Sequence, residues 1–159
     1  PGVNRLNVES ALEMHDAANA NEAHDLYLRM PPDVILLDWE MPGMSGIELT
    51  RLIRSSEKGP NRFIPIVMLS GYSVREQVIE ARDAGVTEFL CKPVSAKALY
   101  KRIVSMITEP RPFVSSSTFF GPDRRRFVHP QYEGKERRIK TANAIKIPGF
   151  LLVERHCHK

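Results

Sequence analysis

The sequence has few cysteines, no long apolar run and no strong excess of one charge. Its 159 residues include two cysteines, Cys91 and Cys157, which excludes a disulfide scaffold and a four-cysteine zinc site within one chain. No apolar run approaches the ~20 residues that span a bilayer, and no secretory signal pattern opens the sequence. These absences predict a protein of the reducing cytoplasm with no membrane partner.

The composition is that of an ordinary globular protein, but the charge is unevenly distributed. Hydrophobic residues make up 42% and charged residues 26%, which excludes a collagen-like or wholly disordered chain. Residues 1–110 carry 12 basic and 15 acidic side chains, whereas residues 111–159 carry 11 and 4. We therefore predict an acidic domain followed by a basic tail rich in proline and arginine. Because the tail has no clear period, we expect it to be extended and loosely ordered.

Short apolar runs alternate with amphipathic stretches in the central part of the sequence. The runs predict buried strands and the stretches predict helices. The strands are expected at residues 34–37, 63–69 and 87–91, and the helices at 19–30, 47–56, 73–84 and 96–107. Strands that alternate with helices of this length form βαβ units with right-handed crossovers. The expected fold class is therefore α/β, with a doubly wound parallel sheet.

Several apolar side chains of these elements are expected to face the core. They are Ala23, Leu26 and Tyr27 of the first helix, Ile47, Leu49, Leu52 and Ile53 of the second, Val74, Val78, Ile79 and Ala81 of the third, Ala96, Leu99, Tyr100, Ile103, Val104 and Ile107 of the fourth, and Cys91. Gly85 is expected to end the third helix, because glycine accepts the left-handed backbone that closes many helices.

A polar residue follows each of the three central strands. These residues are Asp38, Ser70 and Lys92, and in a parallel sheet they meet at the edge where ligands bind. A carboxylate there can attack phosphorus to form an acyl phosphate, an ammonium can neutralise phosphoryl oxygens, and a hydroxyl can donate a hydrogen bond to one of them. The pattern favours phosphoryl chemistry over a simple strand-end ion pair.

Three sequence blocks carry a family resemblance. DVILLDWEMPGMSGIEL, PIVMLSGY and GVTEFLCKPV resemble, in order and spacing, the motifs of bacterial response-regulator receiver domains of the stand-alone, chemotaxis type. The resemblance covers about residues 13–108. It implies a flavodoxin-like sheet, two-component phosphorelay signalling, a histidine kinase as phosphodonor and a downstream protein that the sequence does not identify.

The resemblance also implies roles for particular residues. Asp38 is the phosphoacceptor and Lys92 and Ser70 assist it. Ser70 and Phe89 are the switch residues, and the absence of a hydroxyl on Phe89 implies that its inward state is apolar. The Lys92–Pro93 peptide bond is cis in the family.

Further implied roles concern the metal and the lifetime of the phosphoryl group. Phosphoryl transfer in the family needs Mg²⁺, with Asp38 and the main-chain carbonyl of Glu40 as ligands. The side chains of Glu40 and Tyr72 occupy positions that tune the lifetime of the phosphoryl group. The resemblance implies no catalytic output beyond slow self-dephosphorylation, so we do not expect an enzyme.

The first strand of a receiver and its acidic pair are missing upstream of Asp38. Residues 150–154, FLLVE, resemble that strand. We hypothesise that they fill its place, either within the chain or from a second copy in a homodimer. Glu154 would then be a metal ligand, but Arg155 stands where the second acid belongs, which predicts weak Mg²⁺ affinity.

Three alternative functions remain open at this stage. A degenerate receiver would act as a phosphate-independent interaction module. A haloacid-dehalogenase-type phosphatase would use Asp38 and Glu40, but its second acidic cluster is absent. Non-specific nucleic-acid binding would use Arg124–Arg126 with the neighbouring aromatics Phe119, Phe120, Phe127 and Tyr132, although no recognition-helix motif accompanies them.

Overall fold

A computed structural model describes residues 14–72, 74–125, 139–141 and 150–153. The strands are β1 (Met14–Ala17), β2 (Val34–Asp38), β3 (Ile66–Ser70), β4 (Glu88–Cys91), β5 (Phe113–Ser115), β6 (Phe120–Pro122), β7 (Ile139–Thr141) and β8 (Phe150–Val153). The helices are α1 (Ala20–Arg29), α2 (Gly46–Ser55), α3 (Arg75–Ala84) and α4 (Ala96–Thr108). None of these described helices has the length and apolar character needed to cross a membrane.

Side-chain caps and one glycine fix the ends of the helices. Asn19, Ser45 and Ser95 each accept a hydrogen bond from the first turn of α1, α2 and α4, which satisfies backbone N–H groups that have no partner within the helix. Gly85 follows α3 with a φ of 97°, a left-handed conformation that glycine adopts without strain. The predicted end of this helix is therefore confirmed.

Five parallel strands form the main sheet, in the order β1-β8-β2-β3-β4. When β8 is counted as the first strand, this is the flavodoxin-like order 2-1-3-4-5. Residues 34–37 pair with Phe150–Val153 on one side, as hypothesised, and with β3 on the other. Glu154 lies outside the described residues.

Strands β2 and β3 are buried on both faces, as their continuous apolar runs predict. Ile35 and Leu37 pack in a cluster with residues of α1, α2 and α3. Val34 and Leu36 point to the opposite face and pack in a second cluster, against which Leu99 and Ile103 of α4 also lie. This division is the doubly wound arrangement expected for parallel strands.

The predicted core-facing side chains are confirmed in part. Ile47, Leu49, Ile53 and Ala81 are buried, as predicted. Several others are between 36% and 68% exposed: Leu52, Val74, Val78, Ile79, Tyr100 and Ile107. Helix α3 buries Ala81 and Ala84, whose small size lets the helix lie close to the sheet. Cys91 is exposed because it ends β4, the edge strand of the sheet.

The beginning of the basic tail is ordered, which corrects the expectation of an extended segment. Strands β5 and β6 form an antiparallel hairpin over residues 113–122, and β7 pairs with the other side of β5. Phe113 and Val114 are buried. These apolar residues give the segment a core of its own, which the proline and arginine content conceals.

Asp33 precedes β2 and provides a prediction of pH dependence. Its side chain is largely buried, and Oδ2 has no hydrogen-bond partner among the described residues. Burial raises the pKa of this carboxyl. The folded state therefore binds the proton more tightly than the unfolded chain, and the free energy of unfolding falls as the pH rises through the raised pKa.

Asp33→Asn should be more stable than wild type at neutral pH, because asparagine removes the buried charge. The difference should shrink towards about pH 3, where the aspartate is protonated in both states. Urea denaturation of both proteins across this pH range measures the effect. Equal stability at every pH would show that the Asp33 charge is not penalised in the folded state.

Candidate functional site

The candidate site lies at the carboxyl ends of three adjacent strands. Asp38 is the last residue of β2 and Ser70 the last of β3, while Lys92 follows β4 directly. In the register of the sheet, Asp38 is opposite Leu69, and Ser70 is opposite Cys91. The fold therefore brings together three residues that lie far apart in the sequence.

The strongest contact at the site is an ion pair between Asp38 and Lys92. Nζ of Lys92 lies 2.7 Å from Oδ2 of Asp38, as the meeting of the strand ends predicts. The Asp38 side chain is 8% exposed and that of Lys92 39%, so the carboxylate is held in a buried position while the ammonium reaches it from the surface. Oδ1 of Asp38 also accepts a hydrogen bond from the Glu40 backbone N–H, at 3.3 Å.

The loop after Asp38 is fixed by backbone contacts and by the start of α2. The Gly46 N–H donates to the carbonyl of Trp39 at 3.1 Å, which closes the loop. A Cβ at position 46 would collide with the backbone oxygen of Asp38, so glycine is required there. Ser45 and Glu48 form a capping box, and hydrogen bonds from Ser45 lower the pKa of Glu48.

Ser70 is buried beside the site and is held by two hydrogen bonds. Its Oγ donates to Oε1 of Gln77 in α3 at 3.3 Å and accepts from the Tyr72 N–H at 3.1 Å. The hydroxyl is thus directed towards α3. To donate a hydrogen bond to a phosphoryl group, Ser70 would have to release Gln77.

Phe89 and Trp39 connect the interior to the loop of the site. The two rings make an edge contact, with centroids 6.4 Å apart, and both pack against the core cluster beneath α1, α2 and α3. This apolar setting agrees with the expectation for a switch residue without a hydroxyl. The Lys92–Pro93 bond is cis, as the family resemblance implies.

The described residues form an incomplete metal site. Asp38 offers one carboxylate, and the exposed Glu40 lies two residues away. Within the described ranges there is no group of three or more His, Cys, Asp or Glu side chains able to hold a metal. The candidate ligand Glu154 lies outside those ranges. Tyr72, which the resemblance relates to the lifetime of the phosphoryl group, is 64% exposed.

Sequence reasoning missed two contacts of the site. Gln77 holds Ser70, and the only signal for it was a polar residue one turn into α3, at a spacing shared by many surface residues. Trp39 follows Asp38 directly in the sequence, but nothing in the sequence indicates its contact with Phe89. Both contacts depend on how α3 and β4 pack.

Comparisons with known proteins support the resemblance to receiver domains. The family model described as a response regulator receiver domain matches residues 3–104, which is more than half of the chain. The phosphate regulon transcriptional regulatory protein PhoB of Pseudomonas aeruginosa is 34% identical over 100 residues, a match that covers 63% of this chain and 43% of the relative. The chemotaxis protein CheY of the same species is 39% identical over 71 residues, covering 45% and 56%. The chain therefore spans about half the length of these two relatives.

Solved structures give the same result for the fold. The chemotaxis protein CheY4 of Vibrio cholerae superposes with a TM-score of 0.55 at 30% identity, covering 60% of this chain and 78% of that one. The receiver domain of the Francisella response regulator 1452 has a TM-score of 0.52, also at 30% identity, and covers 60% and 75%.

Proposed function

The chain belongs to the response regulator receiver domain family, and from this premise we propose that Asp38 accepts a phosphoryl group from a histidine kinase. Receiver domains of this family act in two-component signalling. The observation that carries the proposal is the buried carboxylate of Asp38, held 2.7 Å from the Lys92 ammonium at the edge of the sheet. A downstream protein would read the resulting change, and the cytoplasm is the proposed location.

The chemistry needs a nucleophile and a means of balancing charge. An oxygen of Asp38 attacks phosphorus, an O–P bond forms, and the P–N bond of the phosphohistidine breaks with its electron pair going to the imidazole. The Lys92 ammonium then neutralises phosphoryl oxygens. The buried position of Asp38 limits water access to the acyl phosphate that forms.

The conformational switch would follow because the phosphoryl group replaces existing contacts of the site residues. Ser70 releases Gln77 to donate to a phosphoryl oxygen, and Phe89 repacks against Trp39 in the apolar space below the loop. Two arrangements of this kind form an equilibrium that phosphorylation shifts. Water would slowly hydrolyse the acyl phosphate, at a rate that the side chains of Glu40 and Tyr72 tune. Turnover of a separate substrate is not part of the proposal.

A small-molecule phosphodonor tests the assignment of Asp38. Wild-type protein incubated with acetyl phosphate and Mg²⁺ should gain the mass of one phosphoryl group, and Asp38→Asn should gain none, because the amide is not a nucleophile towards phosphorus. Intact-protein mass spectrometry measures both. Asp25→Asn, the same chemical change on the exposed surface of α1, is the matched control and should gain mass like the wild type.

An equal gain in wild type and Asp38→Asn would refute the phosphoacceptor assignment. No gain in any variant would favour a phosphate-independent interaction module. We also propose dependence on Mg²⁺, with weak affinity because Arg155 stands in the sequence where the family has its second acid. Titration of Mg²⁺ followed by the fluorescence of Trp39, which adjoins Asp38, measures that affinity without phosphorylation.

A further inference from the structure

The β5–β6 hairpin (residues 113–122) packs near the amino-terminal ends of β3 and β4, whereas the phosphoacceptor lies at the opposite, carboxyl ends of the strands. Its contacts are with residues that precede β3 and β4, whereas Asp38 and Lys92 lie at the carboxyl ends of the strands. The hairpin also follows the last residue matched by the family model, residue 104. It is therefore an addition to the receiver fold, placed away from the chemistry.

Aromatic and cationic contacts hold the hairpin in place. The ring of Phe63 lies 5.2 Å from that of Phe113 and 5.1 Å from that of Phe120, centroid to centroid. The Arg62 guanidinium stacks 3.4 Å from the Phe120 centroid, close enough for a cation–π interaction. These contacts make the hairpin part of the folded domain.

Two glycines let the hairpin approach the turn between α3 and β4. A Cβ at Gly121 would come within 3.0 Å of the Gly85 Cα, and one at Gly85 would come within 3.2 Å of the Phe120 carbonyl oxygen. The backbones of the hairpin and of this turn are therefore in close contact. A movement of the turn must move the hairpin or break that contact.

The first connection to the candidate site runs along β4. Glu88, at the start of β4, forms two ion pairs. Its Oε1 lies 3.0 Å from Nη2 of Arg111, and its Oε2 lies 3.4 Å from Nη1 of Arg102. Glu88 is four residues before Lys92, a distance of about 13 Å along a strand. Phe89 lies between Glu88 and Lys92. Strand β4 therefore connects Phe89 to Arg111, which stands two residues before the hairpin begins.

The second connection runs along α3. Gln77 in this helix accepts the hydrogen bond of Ser70, and Asp83, six residues later, pairs with Nη1 of Arg124 at 3.2 Å. Six residues correspond to about 9 Å of helix. Arg124 also stacks on Phe119 of the hairpin connection, 3.8 Å from the centroid. One rigid helix thus contacts the switch hydroxyl at one end and the tail at the other.

We propose that the β5–β6 hairpin is coupled to the phosphoacceptor site through β4 and α3, so that phosphorylation of Asp38 loosens its docking. The inference rests on the proposed function. In the unphosphorylated arrangement, Ser70 is hydrogen-bonded to Gln77 and Lys92 is paired with Asp38. The hairpin then contacts residues connected to both α3 and β4. When the phosphoryl group draws Ser70 and Lys92 to itself, α3 and β4 shift relative to each other, and the hairpin loses part of its fit.

Hydrogen exchange of residues 113–122, measured by mass spectrometry on the full chain, tests the coupling. Phosphorylation should speed exchange in the hairpin by at least about 5-fold, the lower end of typical allosteric coupling. A second arm needs no phosphorylation. Gln77→Ala frees Ser70 from α3 and should also speed exchange in the hairpin, whereas Glu76→Ala, an exposed neighbour on the same helix, should leave it unchanged.

Asp83→Asn and Glu88→Gln test the two connections themselves. Each variant should speed hairpin exchange in the unphosphorylated protein and reduce the further effect of phosphorylation. Glu80→Gln removes an exposed pair between α3 and Arg51 of α2, in which neither partner belongs to the hairpin, and is the matched control. It should exchange like the wild type.

The outcomes separate this inference from the proposed function. If Asp38 gains a phosphoryl group but neither phosphorylation nor Gln77→Ala changes hairpin exchange, the coupling is wrong and the phosphoacceptor assignment stands. If no phosphoryl group is gained, the proposed function fails, and the Gln77→Ala arm alone decides the coupling. Equal effects of Glu80→Gln and Asp83→Asn would also overturn it, because the effect would then be a general loss of surface charge.

Discussion

Leu152→Pro is expected to lower the free energy of unfolding by at least about 1–3 kcal/mol, because proline removes a ladder hydrogen bond from an internal strand and leaves a buried carbonyl without its donor. Strand β8 pairs with β1 on one side and with β2 on the other, so both of its edges form backbone hydrogen bonds. Proline has no N–H to donate and is confined in sheets to edge strands and bulges. Since most domains are stable by only about 5–15 kcal/mol, a loss of this size removes much of the margin.

Urea denaturation followed by circular dichroism measures the change, and Leu152→Val is the matched control. Valine keeps the backbone N–H and has high strand propensity, so it should unfold close to the wild type. An unchanged midpoint for Leu152→Pro would show that β8 does not lie between β1 and β2 in solution. The slot beside β2 would then be open, and association through that apolar strand would be expected.

The strands and helices could be predicted because each carries its own local signal. The apolar run at residues 34–37 and the alternation of strands with helices predict the parallel sheet without any knowledge of its partners. The same reasoning predicts that Asp38 and Lys92 meet, because parallel strands end at one edge. Placing β8 needed more than local pattern, since a strand about 110 residues after β2 in the sequence is recognised only by the position it leaves unfilled.

What the sequence could not reveal depends on packing between elements. The apolar spacing of Val78, Ile79 and Ala81 predicts a buried face, yet only Ala81 of these is buried, because the sheet accepts small side chains at closer range. The tail was expected to be loose because proline and arginine dominate its composition. The structure instead orders its beginning through aromatic contacts: Arg124 of the tail stacks on the ring of Phe119, and Arg62, which precedes β3, stacks on the ring of Phe120.

Arg54 shows most clearly why such contacts escape a reading of the sequence. It lies on α2, among residues whose pattern predicts an amphipathic helix, and an arginine there is expected at the surface. The structure buries it to 3% exposure, with Nε donating to the Gly85 carbonyl at 2.9 Å and Nη1 donating to the Arg62 carbonyl at 2.8 Å. Burial lowers its pKa to about 9, so the guanidinium is still charged at neutral pH.

Arg54→Met should therefore destabilise the domain by at least about 1–3 kcal/mol, the usual cost of a buried acceptor left unpaired, because the buried Gly85 carbonyl and the partly buried Arg62 carbonyl both lose their donor. Methionine retains the length and apolar part of the side chain, so the loss reports the guanidinium. The guanidinium also lies 5.1 Å from the Phe113 centroid, and hydrogen exchange at residues 113–122 should rise more than elsewhere. Denaturant unfolding and local exchange measure the two effects separately.

Arg51→Met is the matched control, because it makes the same chemical change three residues earlier on the same helix. Arg51 is exposed and pairs with Glu80 at 3.4 Å, an interaction of a kind that contributes about 0–1 kcal/mol. If Arg51→Met and Arg54→Met lowered stability equally, the buried hydrogen bonds of Arg54 would not be what joins α2 to the Gly85 turn. A larger loss for Arg54→Met, with faster exchange in the hairpin, would identify Arg54 as the residue that links the helix, the turn and the hairpin.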